Sequence, residues 1–116
     1  MLENLFTISR ITNCDNAYQY KAIIDAESNI LKGHFVEQPV VPGVCTMEMI
    51  KSCLSDIFDR KSVSYASVKE CKFLAAIIPN DVEHLIVNIE LKSEGNINVV
   101  VLNGDSIMMK LKAVIA

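Results

Sequence analysis

From Val44 to Phe58 the apolar residues Val44, Met47, Ile50, Leu54, Ile57 and Phe58 recur three and four positions apart, with no Gly or Pro inside the run. That period winds them onto one face of an amphipathic helix. The same wheel gathers Glu48, Lys51, Ser52 and Ser55 on the polar flank, where Glu48 reads as a solvated carboxylate. On either side the period changes. Residues Phe6 to Thr12 and Ala17 to Ile24 are rich in β-formers and flank the turn-prone Asn13-Cys14-Asp15-Asn16, which predicts two strands. After Arg60-Lys61 come strand-like runs from Val63 to Phe73 and from Val82 to Lys92, the second placing Leu85, Val87, Ile89 and Leu91 on one face. Ser93-Glu94-Gly95-Asn96 reads as a turn, and Asn103-Gly104 as a hairpin between Ile97 to Leu102 and Ile107 to Ile115. The stretch from Asp25 to Val41 follows neither period and reads as irregular.

Two early strands, one long helix and a C-terminal antiparallel meander make an α+β chain whose curved sheet has one helix to cover its concave face. With 116 residues, the chain reads as a single domain spanning residues 1–116. Its 51% hydrophobic content is generous for that volume, so part of the apolar surface is expected in a subunit interface. Eleven basic against 14 acidic residues give a net charge of −3, with no Lys/Arg run, which argues against nucleic acid as a partner. No apolar stretch approaches the ~20 residues of a membrane span. The first six residues carry neither the basic flank nor the apolar core of a secretory signal, so the expected location is the cytoplasm. Cys14, Cys45, Cys53 and Cys71 form no C-x-x-C pair and no ligand quartet, and read as buried reduced thiols.

The segment that chemistry would use is Gly33-His34-Phe35-Val36-Glu37-Gln38-Pro39-Val40-Val41-Pro42-Gly43-Val44, followed by Glu48 fourteen residues after the histidine. Pro42-Gly43 at a helix entrance leaves first-turn N–H groups unpaired, with the positive end of the helix dipole behind them. Such a terminus can hold a carbonyl oxygen that is gaining charge. Both the order and the spacing of this motif resemble the active-site pattern of hot-dog-fold 3-hydroxyacyl-acyl-carrier-protein dehydratases, approximately G-H-F-P-G-x-P-x-x-P-G-V…E. Downstream, Glu70-Cys71-Lys72-Phe73-Leu74-Ala75-Ala76-Ile77-Ile78-Pro79-Asn80-Asp81 is similar to the family's E-A-R-F-x-R-P-V-x-P-G-D strand and turn.

What the resemblance implies is a hot-dog fold, a sheet wrapped around the Val44 to Phe58 helix. It further implies a homodimer joined through sheet edges, open to higher assembly of dimers, with the histidine of one subunit and the acid of the other in each site. It makes His34 the base at the carbon beside a thioester carbonyl and Glu48 the proton donor to the departing hydroxyl. It places Gly43 and Val44 at the thioester oxygen, and Phe35, Pro42 and Phe73 along the substrate. No metal or organic cofactor is implied, and the partner is an acyl carrier protein bearing the substrate, with fatty-acid or related acyl-chain synthesis as the setting. An acidic carrier would meet a basic patch, for which Arg60, Lys61, Lys69 and Lys72 are the candidates. Val36 and Glu37 stand where the family has Pro and Gly, which motivates the alternative of a non-catalytic acyl-binding or accessory subunit. A thioesterase, with Glu48 activating water, is the third reading. His84 has no motif around it and is given no role.

Overall fold

The structure, a computed structural model, describes residues 5–25, 41–79 and 82–116. Strands β1 (Phe6–Cys14) and β2 (Ala17–Ile24) precede helix α1 (Gly43–Phe58), and β3 (Tyr65–Phe73), β4 (His84–Leu91), β5 (Asn96–Asn103) and β6 (Ser106–Ile115) follow it. All six strands join one antiparallel sheet in the order β1-β2-β4-β5-β6-β3, so β1 and β3 are its edges. The expected α+β architecture is therefore present, with α1 as its one long helix among the described residues. No described helix is long and apolar enough to cross a membrane.

The hairpins are tighter than the sequence predicts. Cys14 pairs with Ala17, which leaves only Asp15-Asn16 in the first loop, and Asn103 pairs with Ser106, which leaves Gly104-Asp105 in the last. In both, the first loop residue takes a positive φ, 53° at Asp15 and 60° at Gly104. Glycine adopts that conformation freely and Asp is among the side chains that tolerate it, so the glycine heads the loop instead of closing it.

α1 buries Cys45, Thr46, Met49, Ile50, Cys53 and Leu54 against the inner sheet face, where Tyr20, Leu85, Val87, Ile97, Val99 and Met109 are also buried. This corrects the helical face read from the sequence: Val44 is 65% exposed and Phe58 is exposed as well. The buried stripe is rotated by roughly a quarter-turn from the one the large apolar residues define. The small thiols Cys45 and Cys53 act as core hydrophobes and lie on the side that meets the sheet. Cys14, expected to be buried, is exposed at the end of β1, while Cys71 is half-buried.

The far end of α1 is fastened by a polar cluster that no local sequence pattern marks. The ring of Tyr20 is buried in the core, and its hydroxyl donates to Asp56 Oδ2. Arg10 Nε donates to the same hydroxyl at 3.2 Å, and Nη2 reaches Asp56 Oδ2 at 3.0 Å and the Asp56 carbonyl at 3.2 Å. The hydrogen bond from Tyr20, with the Arg10 guanidinium beside it, holds the Asp56 carboxyl below its ordinary range. A depressed carboxylate adds stability that is fully present above the unfolded-state value of about 3.9 and disappears as pH falls through the folded one. Urea unfolding at pH 6 and pH 3 should therefore show wild type losing more stability on acidification than Asp56→Asn. The excess should be about 1 kcal/mol or less, since the carboxylate is half-exposed. Equal losses would mean that the cluster is not coupled to folding.

Candidate active site

The entrance of α1 is built by its neighbours. Pro42, in extended conformation at φ −62°, caps the helix through its backbone: its carbonyl accepts from Cys45 N at 3.0 Å and Thr46 N at 3.4 Å. No side chain caps this end, and among the described residues the N–H groups of Gly43 and Val44 find no acceptor. Two orphan donors at the positive end of a 16-residue helix are the arrangement that stabilises a developing oxyanion. Val41 N donates to Ile77 O at 2.9 Å, while Leu74 N and Ala75 N both donate to Met108 O, at 2.8 and 3.3 Å. The segment after β3 is thus pinned to β6 and in turn pins the helix entrance.

Phe73 closes this corner. A Cβ placed on Gly43 would lie 2.8 Å from Phe73 Cζ, so the ring approaches the first helical residue only because that residue is glycine. Phe73 stays 52% exposed, and beside it a groove of about 560 Å³ runs along Gly43, Thr46, Leu74 and Ile77. The structure therefore brings together Pro42, Gly43, Val44 and Phe73 of the expected site. His34 and Phe35 lie outside the described residues.

Glu48 occupies a different groove, of about 350 Å³, whose apolar floor includes Phe6, Ile8 and Val63 and whose rim carries Lys51 and Lys61. Its carboxylate is 38% exposed and lies 3.0 Å from Lys51 Nζ. The Ser52 hydroxyl folds back onto the Glu48 carbonyl at 3.2 Å instead of reaching its carboxylate. Among the described residues of one protomer, then, Glu48 and the helix entrance line different grooves. The polar flank read from the helical wheel is present, since Glu48, Lys51, Ser52 and Ser55 all line this groove.

The two thiols of α1 offer no competing chemistry. Burial, and then the charge of Glu48, pushes the Cys45 thiol up, while burial and the charge of Asp56 push Cys53 up to about 12. Thiols held protonated in this way are poor nucleophiles. Tyr65 is raised likewise, chiefly by burial and then by Glu48, and its hydroxyl donates to Met47 O at 2.9 Å. Tyr65 fixes the middle of α1 to β3, and nothing in its sequence surroundings marks it. Among the described residues no group of three His, Cys, Asp or Glu side chains could hold a metal ion. The four expected patch residues divide: Arg60 donates to the Ala116 carbonyl at 3.2 Å and Lys61 lines the Glu48 groove, whereas Lys69 and Lys72 belong to β3.

Comparison with known proteins agrees with this arrangement. The profile of the ApeI-like family, the ApeI dehydratases, matches residues 10–109. Among solved structures, the dehydratase heterocomplex ApeI:P from Xenorhabdus doucetiae superposes with a TM-score of 0.76 at 17% identity, covering 93% of this chain and 94% of that one. The dehydratase domain from the CurJ module of curacin polyketide synthase gives a TM-score of 0.65 at 14% identity, covering 100% of this chain and 43% of the other. A thioesterase candidate from Lactococcus lactis gives 0.64 at 12% identity, with coverage of 100% and 94%. At these identities the superpositions establish the fold. No curated protein sequence matches the chain.

Proposed function

The chain belongs to the ApeI-like dehydratase family and is a hot-dog-fold dehydratase, and from that premise we propose that it removes water from a 3-hydroxyacyl thioester carried by an acyl carrier protein, leaving the trans-2-enoyl thioester. The observation that carries this reading is the entrance of α1, where two N–H groups with no acceptor among the described residues adjoin an apolar groove beside Phe73. In the proposed reaction the thioester oxygen accepts from Gly43 or Val44 N–H, and the neutral imidazole of His34 takes the proton from the adjacent carbon. As the C–O bond breaks, Glu48 delivers a proton to the leaving hydroxyl and water departs. Fatty-acid or related acyl-chain synthesis is the setting we infer.

Glu48 lines a groove separate from the helix entrance of its own chain, which supports a site shared between two subunits. A homodimer joined at the free edge of β3 is our proposed assembly, since an edge strand offers unpaired backbone groups along its length. The expected result is a loss of one water from carrier-bound 3-hydroxyacyl substrates, read by mass analysis over several chain lengths. Release of free thiol would instead identify a thioesterase, because dehydration releases none.

One observation favours a second reading. The Xenorhabdus relative was solved as a heterocomplex, ApeI:P, so this chain too could act beside a second hot-dog subunit. Water loss only when such a subunit is added would establish that arrangement.

A further inference from the structure

The outer face of β3 and β6 gathers positive charge on a protein whose net charge is −3. Met109 and Leu111 of β6 are buried, so the alternation of the strand turns Lys110 and Lys112 outward. Lys72 of β3 is the register partner of Lys110, which sets two lysines directly opposite each other. Like charges in that position work against folding. At the same corner Lys69, Lys92 and Lys112 line a shallow groove with Asn96 and Asn98. Two of these five lysines are answered by carboxylates: Lys72 lies 3.3 Å from Glu70 and Lys92 lies 3.2 Å from Glu90. Lys69 donates to Asn96 Oδ1 at 2.7 Å. Among the described residues Lys110 and Lys112 have neither ion pair nor hydrogen bond, and both are exposed.

We propose that this lysine face, centred on Lys72, Lys110 and Lys112, is where an acidic protein docks, and that the protein is the carrier delivering the acyl thioester. The identity of the carrier rests on the function proposed above; the face itself does not. Fold stability gives no reason for Lys72 to oppose Lys110, whereas an external anion does. A protein partner fits better than an anionic bilayer, because Glu70 and Glu90 break the face into a pattern of both signs. A patterned surface rewards a complementary one, whereas a uniformly negative bilayer gains at the lysines and loses at Glu70 and Glu90. The face also borders the chemistry: the residue after Lys72 is Phe73, whose ring lies against Gly43.

The test uses Lys110→Glu together with Lys112→Gln, the second kept neutral because Lys112 is the register partner of Glu70 and an acid there would oppose it. Lys110→Glu turns a like-charge pair with Lys72 into an attractive one, so the variant is expected to fold. Binding of an acyl carrier protein bearing no acyl group, followed by fluorescence anisotropy in low salt, should weaken about tenfold or more. The difference should shrink at high ionic strength. Lys21→Glu, on β2, serves as the control and should bind as wild type. With a carrier-bound substrate KM should rise while kcat holds, and a short diffusible thioester should be turned over unchanged. Unaltered carrier binding by the double variant overturns the proposal, as does binding of wild type to phosphatidylglycerol vesicles but not to the carrier. Absence of turnover on every thioester, with charge-dependent carrier binding intact, would overturn the proposed reaction and leave the docking face standing.

Discussion

His34→Ala and Glu48→Ala should each lower turnover of a carrier-bound 3-hydroxyacyl substrate by about 10² to 10⁴, the usual worth of one positioned acid or base. Thermal unfolding should stay near that of wild type for Glu48→Ala, because the side chain is half-exposed and its ion pair with Lys51 lies at the surface. The stronger test is to combine the two dead proteins. If each site takes its base from one subunit and its acid from the other, a heterodimer of the two variants contains one site with both groups and one with neither. Random assembly makes about half of the dimers mixed, so co-expression should restore about a quarter of wild-type activity. Restoration is expected because Glu48 and the helix entrance open onto different grooves of one chain. Two dead variants that stay dead on mixing, although mixed dimers are present by mass, would confine the site to one subunit. Activity retained in both single variants would remove the proposed pair altogether.

The parts of this molecule that could be read from its sequence are those fixed by local periodicity. Leu85, Val87, Ile89 and Leu91 alternate in the chain, and the first three are buried in β4 as the alternation requires. The helix runs from Gly43 to Phe58, within one residue of the pattern. Its orientation was not legible in the same way, since a helical wheel ranks residues by size and polarity while the sheet decides which flank it will cover. Val44 therefore faces out and Cys45 in. The Arg10–Tyr20–Asp56 cluster was invisible because its members come from β1, β2 and α1 and meet only when the helix is laid on the sheet. In the candidate site, the bare helix entrance followed from Pro42-Gly43. The closeness of Phe73 to Gly43 did not, because that contact spans thirty residues of chain. The lysine face hides for a similar reason: Lys72 and Lys110 become neighbours only through the β3–β6 register.

Ile50→Ala should be among the most damaging single changes in the helix, destabilising the fold by roughly 2–5 kcal/mol from lost burial and the cavity left behind. At roughly 4–8 °C of melting temperature per kcal/mol, a shift of about 8–40 °C is the readout. The residue is fully buried and sits two positions after Glu48, so the same change should also release the flank that presents the acid. The sequence pattern weighs Val44 and Ile50 alike, but the structure separates them. Val44 is the most exposed apolar side chain of α1, and Val44→Ala should move stability by no more than about 0.5 kcal/mol in the monomer. Comparing the two variants at several protein concentrations therefore answers two questions. A loss for Ile50→Ala that does not depend on concentration belongs to the core of one chain. A loss for Val44→Ala that is present at high protein concentration and shrinks on dilution would mean that a second subunit covers this flank of α1, because stability contributed by association falls with protomer concentration. That flank also carries Lys51 and Glu48, so the second result would set the partner chain against the acid that we assign to its reaction. Losses of equal size from both residues at every concentration would contradict the orientation of the helix on the sheet.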